Sequence, residues 1–527
     1  MKNLLNIKPA TVIIRARHSL ALLLFMFLPL YFFAQQTYFE KRYDFHNNYD
    51  RAQNILSVDS GYIMAGITED SLYIYNYHLS ITKLSLTGDI VNHKEYGYDS
   101  INILTGNPGS FIKRGDKFYL FGSYWVYTDD WVHESGYFSC YNNNLDTIWT
   151  RKYGEKSYPF DTSYIAGQIK QINCQDFILI GSRMPKGVHS RIWLLKTDSL
   201  GNKLWERFYG EGNEYFQGHS VVQTADGGYV IGAAKFTIGF PGTLDPLIIK
   251  TDSLGNEEWR INPGKSGVDD NKVMVALASD GNIIAGTNYG TEQSGDNRWA
   301  VVKIMKITPG GTVLWNKNYL EPQYDNFLLN TLVLSNGNIV VNGARNTHGL
   351  GEDYPAKTGW ILCTDSAGNQ LWYKEYALLK GHNSFNDLYD VRETEDGGLI
   401  GVGKADPVVP DTGTADIWVM KMDSMGCLWE GCDTTVIVEE RAEPSCGFKI
   451  FPNPVRDEFT VDLAIAANHP LELTVHNLCG IKTVEMEIPG SRNSIKINTA
   501  GWPSGMYVAT VHIQGDITYR KKFVVYK

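Results

Sequence analysis

The sequence predicts an all-β protein, and three observations support this prediction. One phrase recurs along the chain, each copy is preceded by a short apolar run behind a tight-turn signal, and no stretch repeats apolar residues at the helical period. Residues 448–527 follow a different pattern of short alternating strands. The composition agrees, because 51 glycines and an aromatic content of 13% are typical of a well-packed protein rich in turns.

Residues 1–34 are predicted to be a secretory signal peptide. Four basic residues precede the apolar run Leu20–Phe33, and Ala34-Gln35-Gln36 follows it as a candidate cleavage site. A retained membrane anchor is the alternative, but a run of about 14 apolar residues is short for a bilayer. No later segment is apolar enough to cross a membrane, so no transmembrane segment is expected after processing.

Charge is unevenly distributed along the chain. Residues 1–34 carry +4 and residues 444–527 carry +2, so the net charge of −10 places −16 on residues 35–443. An acidic body repels phosphate backbones, and nucleic acid is therefore not an expected partner. No cofactor and no metal site are predicted, although the acidity is compatible with Ca²⁺, for which no motif is found.

The recurring phrase reads KTDSLGNKLWERFYG from Lys196 and KTDSLGNEEWRINPG from Lys250. Other copies start at Lys83, Cys140, Lys306, Cys363 and Lys421, and the tryptophan register falls at Asn92, Trp149, Trp205, Trp259, Trp315, Trp372 and Trp429. Successive positions in this register are 54 to 57 residues apart. Seven copies at so even a spacing are typical of repeats that must stack to bury their apolar faces.

Each copy contains four predicted strands. A short apolar run ends at Gly66, Gly122, Gly181, Gly232, Gly286, Gly343 or Gly403, often behind Asp-Gly or Asn-Gly, which is the turn chemistry of a tight hairpin. In one copy the predicted strands are His219–Thr224, Gly228–Ala234, Pro246–Thr251 and Glu257–Ile261. Four antiparallel strands per repeat make a propeller blade, so residues 36–432 are predicted to form a seven-bladed β-propeller.

The Asp, Gly and Trp of the phrase are predicted to have a structural role and not a catalytic one. The aspartate can accept hydrogen bonds from its own turn, the glycine supplies a left-handed conformation, and the tryptophan packs against the neighbouring blade. The clearest members of this set are Asp198, Gly201, Trp205, Asp252, Gly255, Trp259, Trp315, Asp365, Gly368 and Trp372.

The segment Tyr38–Asp44 matches Leu204–Gly210, with Phe39 in the tryptophan register. This surplus copy of one strand predicts that the first strand of the mature chain completes the sheet of the last repeat and closes the ring.

Cys427 and Cys432 are the best candidates for a disulfide, because four intervening residues can fold back as a turn; two free thiols are the alternative. Cys140 and Cys363 occupy the same position in the second and sixth copies and should be too far apart to bridge.

After an acidic linker, residues 433–447, the pattern of residues 448–527 predicts a small β-sandwich. This segment resembles the type IX secretion (Por-type) C-terminal sorting domain of Bacteroidota. The resemblance is carried in order by Phe451-Pro452-Asn453-Pro454-Val455, the turn at Gly480, Gly505-Met506-Tyr507, and Lys521-Lys522-Phe523-Val524-Val525. A terminal β-sandwich used only for binding is the alternative.

This resemblance implies export to the periplasm, recognition of the domain by the type IX machinery, and removal of the domain by a sortase-like peptidase. The body is then expected on the outer-membrane surface or in the medium. The residues expected to carry the sorting signal are Pro452, Asn453, Pro454, Gly505, Tyr507, Lys521 and Lys522.

The sequence contains no nucleophile elbow, zinc-protease motif or phosphate loop, so no catalytic residue is predicted. The repeat is also similar to the tryptophan-docking repeats of quinoprotein dehydrogenases. Those enzymes commonly use adjacent cysteines over the quinone, and no two cysteines are adjacent here. The likeness therefore concerns the blade architecture alone.

One segment, Ser123–Phe138, is a candidate binding surface, because aromatic rings beside carboxylates suit sugar stacking and hydroxyl hydrogen bonds. Its candidate ligand-binding residues are Trp125, Tyr127, Asp129, Asp130 and Trp131, and the alternative is that these rings belong to strand core. The predicted function is binding of a glycan or a protein. The alternative is a glycosidase-like hydrolase with a carboxylate site at the propeller channel.

Overall fold

The recurring phrase folds into sets of four antiparallel strands. The computed structural model describes residues 37–70, 76–127, 132–154, 162–172, 175–185, 189–237, 243–265, 268, 270–294, 297–320, 325–346, 356–380, 384–407, 413–430, 432, 448–463, 471–477, 482–489, 494–513 and 517–526. The predicted signal peptide and the predicted linker lie outside these residues. The chain divides into two units, Met1–Asp433 and Thr434–Lys527, each with its own core.

The first unit, called the body, opens with β1 (Phe39–Tyr43). Set 1 is β2 (Asp50–Val58), β3 (Gly61–Glu69), β4 (Tyr77–Leu84) and β5 (Ile90–Tyr96). Set 2 is β6 (Ile101–Thr105) and β7 (Phe111–Arg114), which both pair with β8 (Lys117–Tyr127), then β9 (Val132–Tyr141) and β10 (Thr147–Tyr153). Set 3 is β11 (Thr162–Ile172), β12 (Asp176–Pro185), β13 (Arg191–Thr197) and β14 (Lys203–Tyr209).

Set 4 is β15 (Tyr215–Gln223), β16 (Tyr229–Thr237), β17 (Thr243–Thr251) and β18 (Glu257–Ile261). Set 5 is β19 (Val273–Leu277), β20 (Ile283–Ser294), β21 (Asn297–Ile307) and β22 (Val313–Tyr319). Set 6 is β23 (Asn326–Val333), β24 (Ile339–Asn346), β25 (Lys357–Thr364) and β26 (Gln370–Tyr376). Set 7 is β27 (Phe385–Glu393), β28 (Leu399–Asp406) and β29 (Asp416–Met422), completed by β1.

The sets form a ring. The first strand of each set contacts the first strand of the next, in the order β2, β7, β11, β15, β19, β23, β27 and back to β2. These first strands therefore line a central channel, and the fourth strands lie at the rim. This arrangement is typical of a β-propeller, and the all-β class is confirmed. A parallel bridge between Lys357 and Phe385 joins sets 6 and 7 into one eight-stranded sheet, so the blade count stays a prediction.

The ring is closed by the strand that the surplus copy predicts. β1 pairs antiparallel with β29, from Phe39 opposite Lys421 to Tyr43 opposite Ile417. The Phe39 ring packs under the turn at Gly88, where a Cβ would lie 2.7 Å from the ring. Trp429, which shares the register of Phe39, is instead 63% exposed and lies outside any strand. Phe39 therefore takes the rim position of set 7.

Glycine ends each apolar run for a steric reason. The first strand bulges opposite this position in sets 1, 3, 4, 6 and 7. At Gly343 and Gly403 a Cβ would overlap the carbonyl oxygens of Phe327 and Asp387 on that first strand. The close approach of the two backbones thus requires glycine.

The second unit has two antiparallel sheets. One contains β30 (Phe448–Phe451), β31 (Glu458–Leu463) and β34 (Ser494–Asn498), and the other contains β32 (Leu471–Asn477), β33 (Lys482–Ile488), β35 (Gly505–Ile513) and β36 (Ile517–Val525). Both contribute side chains to one apolar core, as expected for a β-sandwich. The described part of the chain contains no helix long and apolar enough to span a membrane.

Candidate functional sites in the body and the C-terminal unit

Where a repeated turn begins with an aspartate, that aspartate is bonded within its own turn. Asp198 Oδ1 accepts hydrogen bonds from the backbone N–H groups of Leu200 (2.9 Å) and Asn202 (2.8 Å), and its Oδ2 accepts one from Asn202 Nδ2 (2.8 Å). Asp252 and Asp365 make the same three bonds. These bonds hold the pKa of Asp252 and Asp365 below the usual range. Carboxylates used in this way support a structural role.

The turn glycine of one set receives the rim tryptophan of the preceding set. Gly201 has a φ of 76°, and a Cβ there would lie 2.8 Å from the Trp149 ring. Gly255, Gly368 and Gly426 stand in the same relation to Trp205, Trp315 and Trp372. Trp259 packs below Gly311 and donates its Nε1–H to the Pro309 carbonyl at 3.0 Å. The predicted Asp, Gly and Trp set thus joins neighbouring sets.

A tyrosine four residues after the tryptophan completes this joint, although it is not among the residues predicted from the sequence to hold the repeat together. Tyr209 Oη donates to the Gly255 carbonyl at 2.8 Å, and Tyr319 Oη donates to the Gly368 carbonyl at 2.5 Å. Tyr43, Tyr153 and Tyr376 bond the next turn in the same way. The signal was visible as a tyrosine near the end of most copies, with Pro263 as an exception.

Cys427 and Cys432 form a disulfide in the structure, with a Cα–Cα distance of 5.6 Å. Lys374 Nζ, on the rim strand of set 6, lies 2.8 Å from Cys427 Sγ. Cys140 and Cys363 are buried free thiols, and burial raises the pKa of Cys363 to about 12. A thiol with so high a pKa is unreactive at neutral pH.

The described part of the candidate binding segment is an aromatic hairpin, β8–β9. Trp125 lies opposite Glu134, and its indole Nε1–H is buried without a hydrogen-bond partner among the described residues. Tyr124 stacks on Tyr137 with ring centroids 6.2 Å apart, and Lys152 Nζ lies 3.2 Å from the Tyr124 centroid. Asp129, Asp130 and Trp131 lie outside the described residues, as does the side chain of Tyr127. Whether these residues gather around Trp125 stays a prediction.

Polar side chains link the first strands around the channel. Asn54 Oδ1 accepts hydrogen bonds from the backbone of Gly109 (2.8 Å) in set 2. Asp390 of set 7 accepts bonds from Ile55 N (3.1 Å) of set 1, Asn330 Nδ2 (2.8 Å) of set 6 and Arg392 Nε (3.1 Å). Asp390 is fully buried, and burial raises its pKa. Its three donors make this carboxylate a link between sets 6, 7 and 1.

Basic side chains on or beside the first strands form two electrostatic pairs, Lys170 with Arg392 and His219 with Lys272. Lys170 belongs to set 3 and interacts electrostatically with both Arg392 and Asp390 of set 7. Burial lowers the pKa of Lys170 and of Lys272 to about 8, and that of His219 well below its usual value. No sequence pattern marks these pairs, because the members of each pair are distant in the chain.

Three carboxylates meet where β1, set 1 and set 7 join. One carboxylate oxygen each from Asp44, Asp50 and Asp416 lies within 4.8 Å of the other two. Asp50 Oδ2 accepts a bond from Phe45 N at 2.6 Å, and Asp416 pairs with Arg42. Asp50 and Asp416 are fully buried, so a substrate cannot reach them. The expectation of no cofactor, with Ca²⁺ as an option, is not tested by this arrangement.

Asp50→Asn is expected to change how stability depends on pH. Burial and the carboxylates of Asp416 and Asp44 raise the pKa of Asp50 from 3.8 to about 7. Between these values the folded protein holds a proton that the unfolded chain has lost, so the free energy of unfolding falls as pH rises. The side chain in the variant does not titrate. Its free energy of unfolding, relative to that of wild type, should therefore rise by on the order of 2 kcal/mol from pH 5 to pH 8.

Denaturant unfolding at both pH values measures this effect, with the exposed Asp99→Asn as control. An identical difference between variant and wild type at pH 5 and pH 8 would contradict it.

In the second unit, the residues expected to carry the sorting signal meet around the last strand, β36. Asn453 Oδ1 accepts a bond from Val524 N at 2.9 Å, which places the exposed segment Pro452–Pro454 beside β36. Gly505 lies opposite Val525, and Tyr507 lies opposite Phe523. The Tyr507 ring is buried in the core, and its Oη donates to the Pro503 carbonyl at 2.9 Å.

Lys521 is partly buried and Lys522 is exposed, and both lie on β36. Gly480 lies outside the described residues. The structure therefore brings the sorting residues to one strand and its neighbours, but it does not test which of them are recognised.

Comparison with known families decides what the second unit is. Residues 449–526 match the family described as the secretion system C-terminal sorting domain. They form a sorting domain. The sorting domain directs the chain to the type IX secretion machinery, and it indicates a location on the outer-membrane surface or outside the cell. The predicted resemblance is confirmed for this unit, and no curated protein matches the chain significantly.

Several solved structures resemble the chain at low identity. A protein of unknown function from Dyadobacter fermentans is 10% identical with a TM-score of 0.40, covering 62% of this chain and 100% of its own. The polysaccharide lyase Uly1 is 11% identical with a TM-score of 0.44, and the match covers 71% of this chain and 90% of the lyase. An α-L-arabinanase from Penicillium chrysogenum is 13% identical with a TM-score of 0.36, and the match covers 61% of this chain and 98% of the arabinanase. At these scores the likeness carries no argument about function.

Proposed function

We propose that the chain is an exported binding protein, displayed on the outer-membrane surface or released from it, whose body binds a glycan or a protein. The signal peptide, residues 1–34, would open the route to the periplasm, and the sorting domain would complete it. A sortase-like peptidase would then remove the sorting domain from the body.

The observation that carries the binding role is the aromatic hairpin β8–β9. Trp125 is only partly buried, and its indole N–H lacks a partner among the described residues. The indole nitrogen itself is buried, so the partly exposed ring face is the part that suits a sugar ring, which offers C–H groups for stacking. The acids Asp129 and Asp130 follow within five residues and would add acceptors for sugar hydroxyl groups.

Trp125→Ala is expected to weaken glycan binding by about tenfold or more, because a truncated aromatic anchor costs that much at a binding surface. A glycan array screened with the purified body identifies the ligand, and titration calorimetry then measures its affinity for wild type and variant. Trp429→Ala is the matched control, since Trp429 is exposed and lies outside any strand. Unfolding temperatures of both variants separate lost binding from lost structure.

Equal affinities of wild type and Trp125→Ala for an array ligand would contradict the assignment of this hairpin. The alternative, a secreted hydrolase with a carboxylate site at the channel, is tested on the same preparation with a panel of glycosidase substrates. Turnover that is lost on replacing channel carboxylates would overturn the binding role.

A further inference from the structure

Three carboxylates from separate segments converge where the two ends of the body meet. Asp44 directly follows β1, Asp50 begins β2 and Asp416 begins β29. One oxygen of each lies within 4.8 Å of the other two. Since Ca²⁺ holds its oxygen ligands at about 2.3–2.6 Å, ligands on opposite sides of the ion are about 5 Å apart. One ion between these carboxylates can therefore contact all three.

The charge of this cluster is only partly neutralised. The three carboxylates carry −3 when ionised, and among the described residues Arg42 is the one cation that forms an ion pair with them, through Asp416 Oδ2. The remaining charge of −2 equals that of the counter-ion for one divalent cation. Burial and the neighbouring carboxylates raise the pKa of Asp50 and of Asp416, as expected for charges that lack sufficient compensation.

Two buried oxygens beside the cluster have no hydrogen bond. Asp50 Oδ1 and Thr68 Oγ1 lack a partner among the described residues, and both side chains are fully buried. Thr68 lies opposite Asp50 in the β2–β3 pair, so the two side chains share one face of the sheet. The Thr68 hydroxyl lies close enough to lower the pKa of Asp50, but the two free oxygens do not meet in hydrogen-bond geometry.

An uncharged hydroxyl thus adds a second line of argument to that from the acidic cluster. A buried oxygen without a donor destabilises the folded protein, unless a ligand compensates it. Thr68 cannot neutralise a carboxylate, but its oxygen can coordinate the same cation.

We propose that Asp44, Asp50, Asp416 and Thr68 bind one Ca²⁺ ion, which ties β1 to sets 1 and 7. All four donors are oxygens, the ligands that Ca²⁺ takes, and Ca²⁺ tolerates the irregular geometry that separate segments provide, whereas Mg²⁺ demands a near-ideal octahedron. Asp44 is exposed, so the ion has a route from solvent and water can complete its shell there. The site is remote in sequence from the aromatic hairpin, and it stands or falls separately from the proposed glycan or protein binding.

The test uses the secreted protein, treated with EDTA and exchanged into calcium-free buffer. Its unfolding temperature and titration calorimetry are measured with CaCl₂ and MgCl₂, and NaCl keeps the ionic strength constant. Ca²⁺ should raise the unfolding temperature saturably and bind at one site, with a Kd on the order of 10⁻⁴ to 10⁻³ M, as in extracellular modules. Mg²⁺ should bind about tenfold more weakly or worse. The pH effect expected for Asp50→Asn concerns the calcium-free protein, and that comparison is made in EDTA.

Asp44→Asn should weaken Ca²⁺ binding by about tenfold or more, and Thr68→Val by about threefold or more, since ligand charge and number set the affinity. Without Ca²⁺, both variants should unfold at the same or a higher temperature than wild type. Asp44→Asn relieves repulsion with Asp50 and Asp416, and Thr68→Val removes a buried hydroxyl that has no hydrogen bond. A merely structural role would lower the unfolding temperature with and without Ca²⁺.

Asp99→Asn is the matched control, because it removes one carboxylate from an exposed position outside the cluster. The proposal is overturned if Ca²⁺ gives no saturable response in wild type, or if Mg²⁺ acts as strongly as Ca²⁺. It is equally overturned if folded Asp44→Asn and Thr68→Val bind Ca²⁺ as tightly as Asp99→Asn does.

Discussion

Deleting Phe448–Lys527 is expected to abolish delivery to the cell surface and to leave the body in the periplasm. The sorting domain has its own apolar core, separate from the cores of the body, so its removal should not unfold the body. Expression of both forms in a bacterium that has a type IX system, followed by cell fractionation and protease treatment of intact cells, measures the distribution. The truncated form should be protected from protease, whereas the full chain should be cleaved.

A fusion supplies the matched control for this deletion. Residues 1–34, a reporter protein and Phe448–Lys527 in one chain should place the reporter on the surface, since the export signals lie outside the body. Undiminished surface display of the truncated form would contradict the role of the sorting domain.

Removing β1, residues Phe39–Tyr43, is expected to destabilise the body by on the order of 5 kcal/mol, because an apolar rim contact and several hydrogen bonds are lost together. The deletion uncovers the edge of β29, removes Phe39 from the turn at Gly88, and removes the bond from Tyr43 Oη to the Gly88 carbonyl at 2.5 Å. It also leaves Asp416 buried without its Arg42 partner. Thermal and denaturant unfolding of the body measure the loss.

A synthetic peptide of residues 37–44 should restore part of this stability when added to the shortened body, since it can pair with β29 as β1 does. Lys41→Ala in the full-length body is the control, because Lys41 makes a surface ion pair with Asp89 at the rim and leaves the pairing of β1 with β29 in place. An unchanged unfolding temperature after removal of β1 would contradict closure of the ring by this strand.

The sequence predicts the parts of this fold that depend on neighbouring residues. The turn at Asp198 and Gly201 is determined by four consecutive residues. The segment Tyr38–Asp44 predicts the closing strand because its sequence repeats that of Leu204–Gly210. Strand limits are less accurate, as β15 begins at Tyr215 and not at His219. The side chain of the predicted starting residue, His219, meets Asn107 across the channel.

The side-chain contacts in the channel could not be predicted from neighbouring residues. Lys170 and Arg392 are 222 residues apart, and neither lies in the recurring phrase. Their proximity depends on how many sets close the ring and on which side chains of the first strands point inward at the bulges. Similarly, the three carboxylates at Asp44, Asp50 and Asp416 come together only because the two ends of the body meet.

The pairing of β1 with β29 has a consequence for the timing of folding. The first strand of the body to be synthesised must wait for one of the last, almost 400 residues later, and contacts so distant in sequence form slowly. The sheets between them can assemble as they emerge, but the final cooperative step comes only after Met422 is available. The sorting domain begins only at Phe448, so both partners of the closing pair have been synthesised before the export signal is complete.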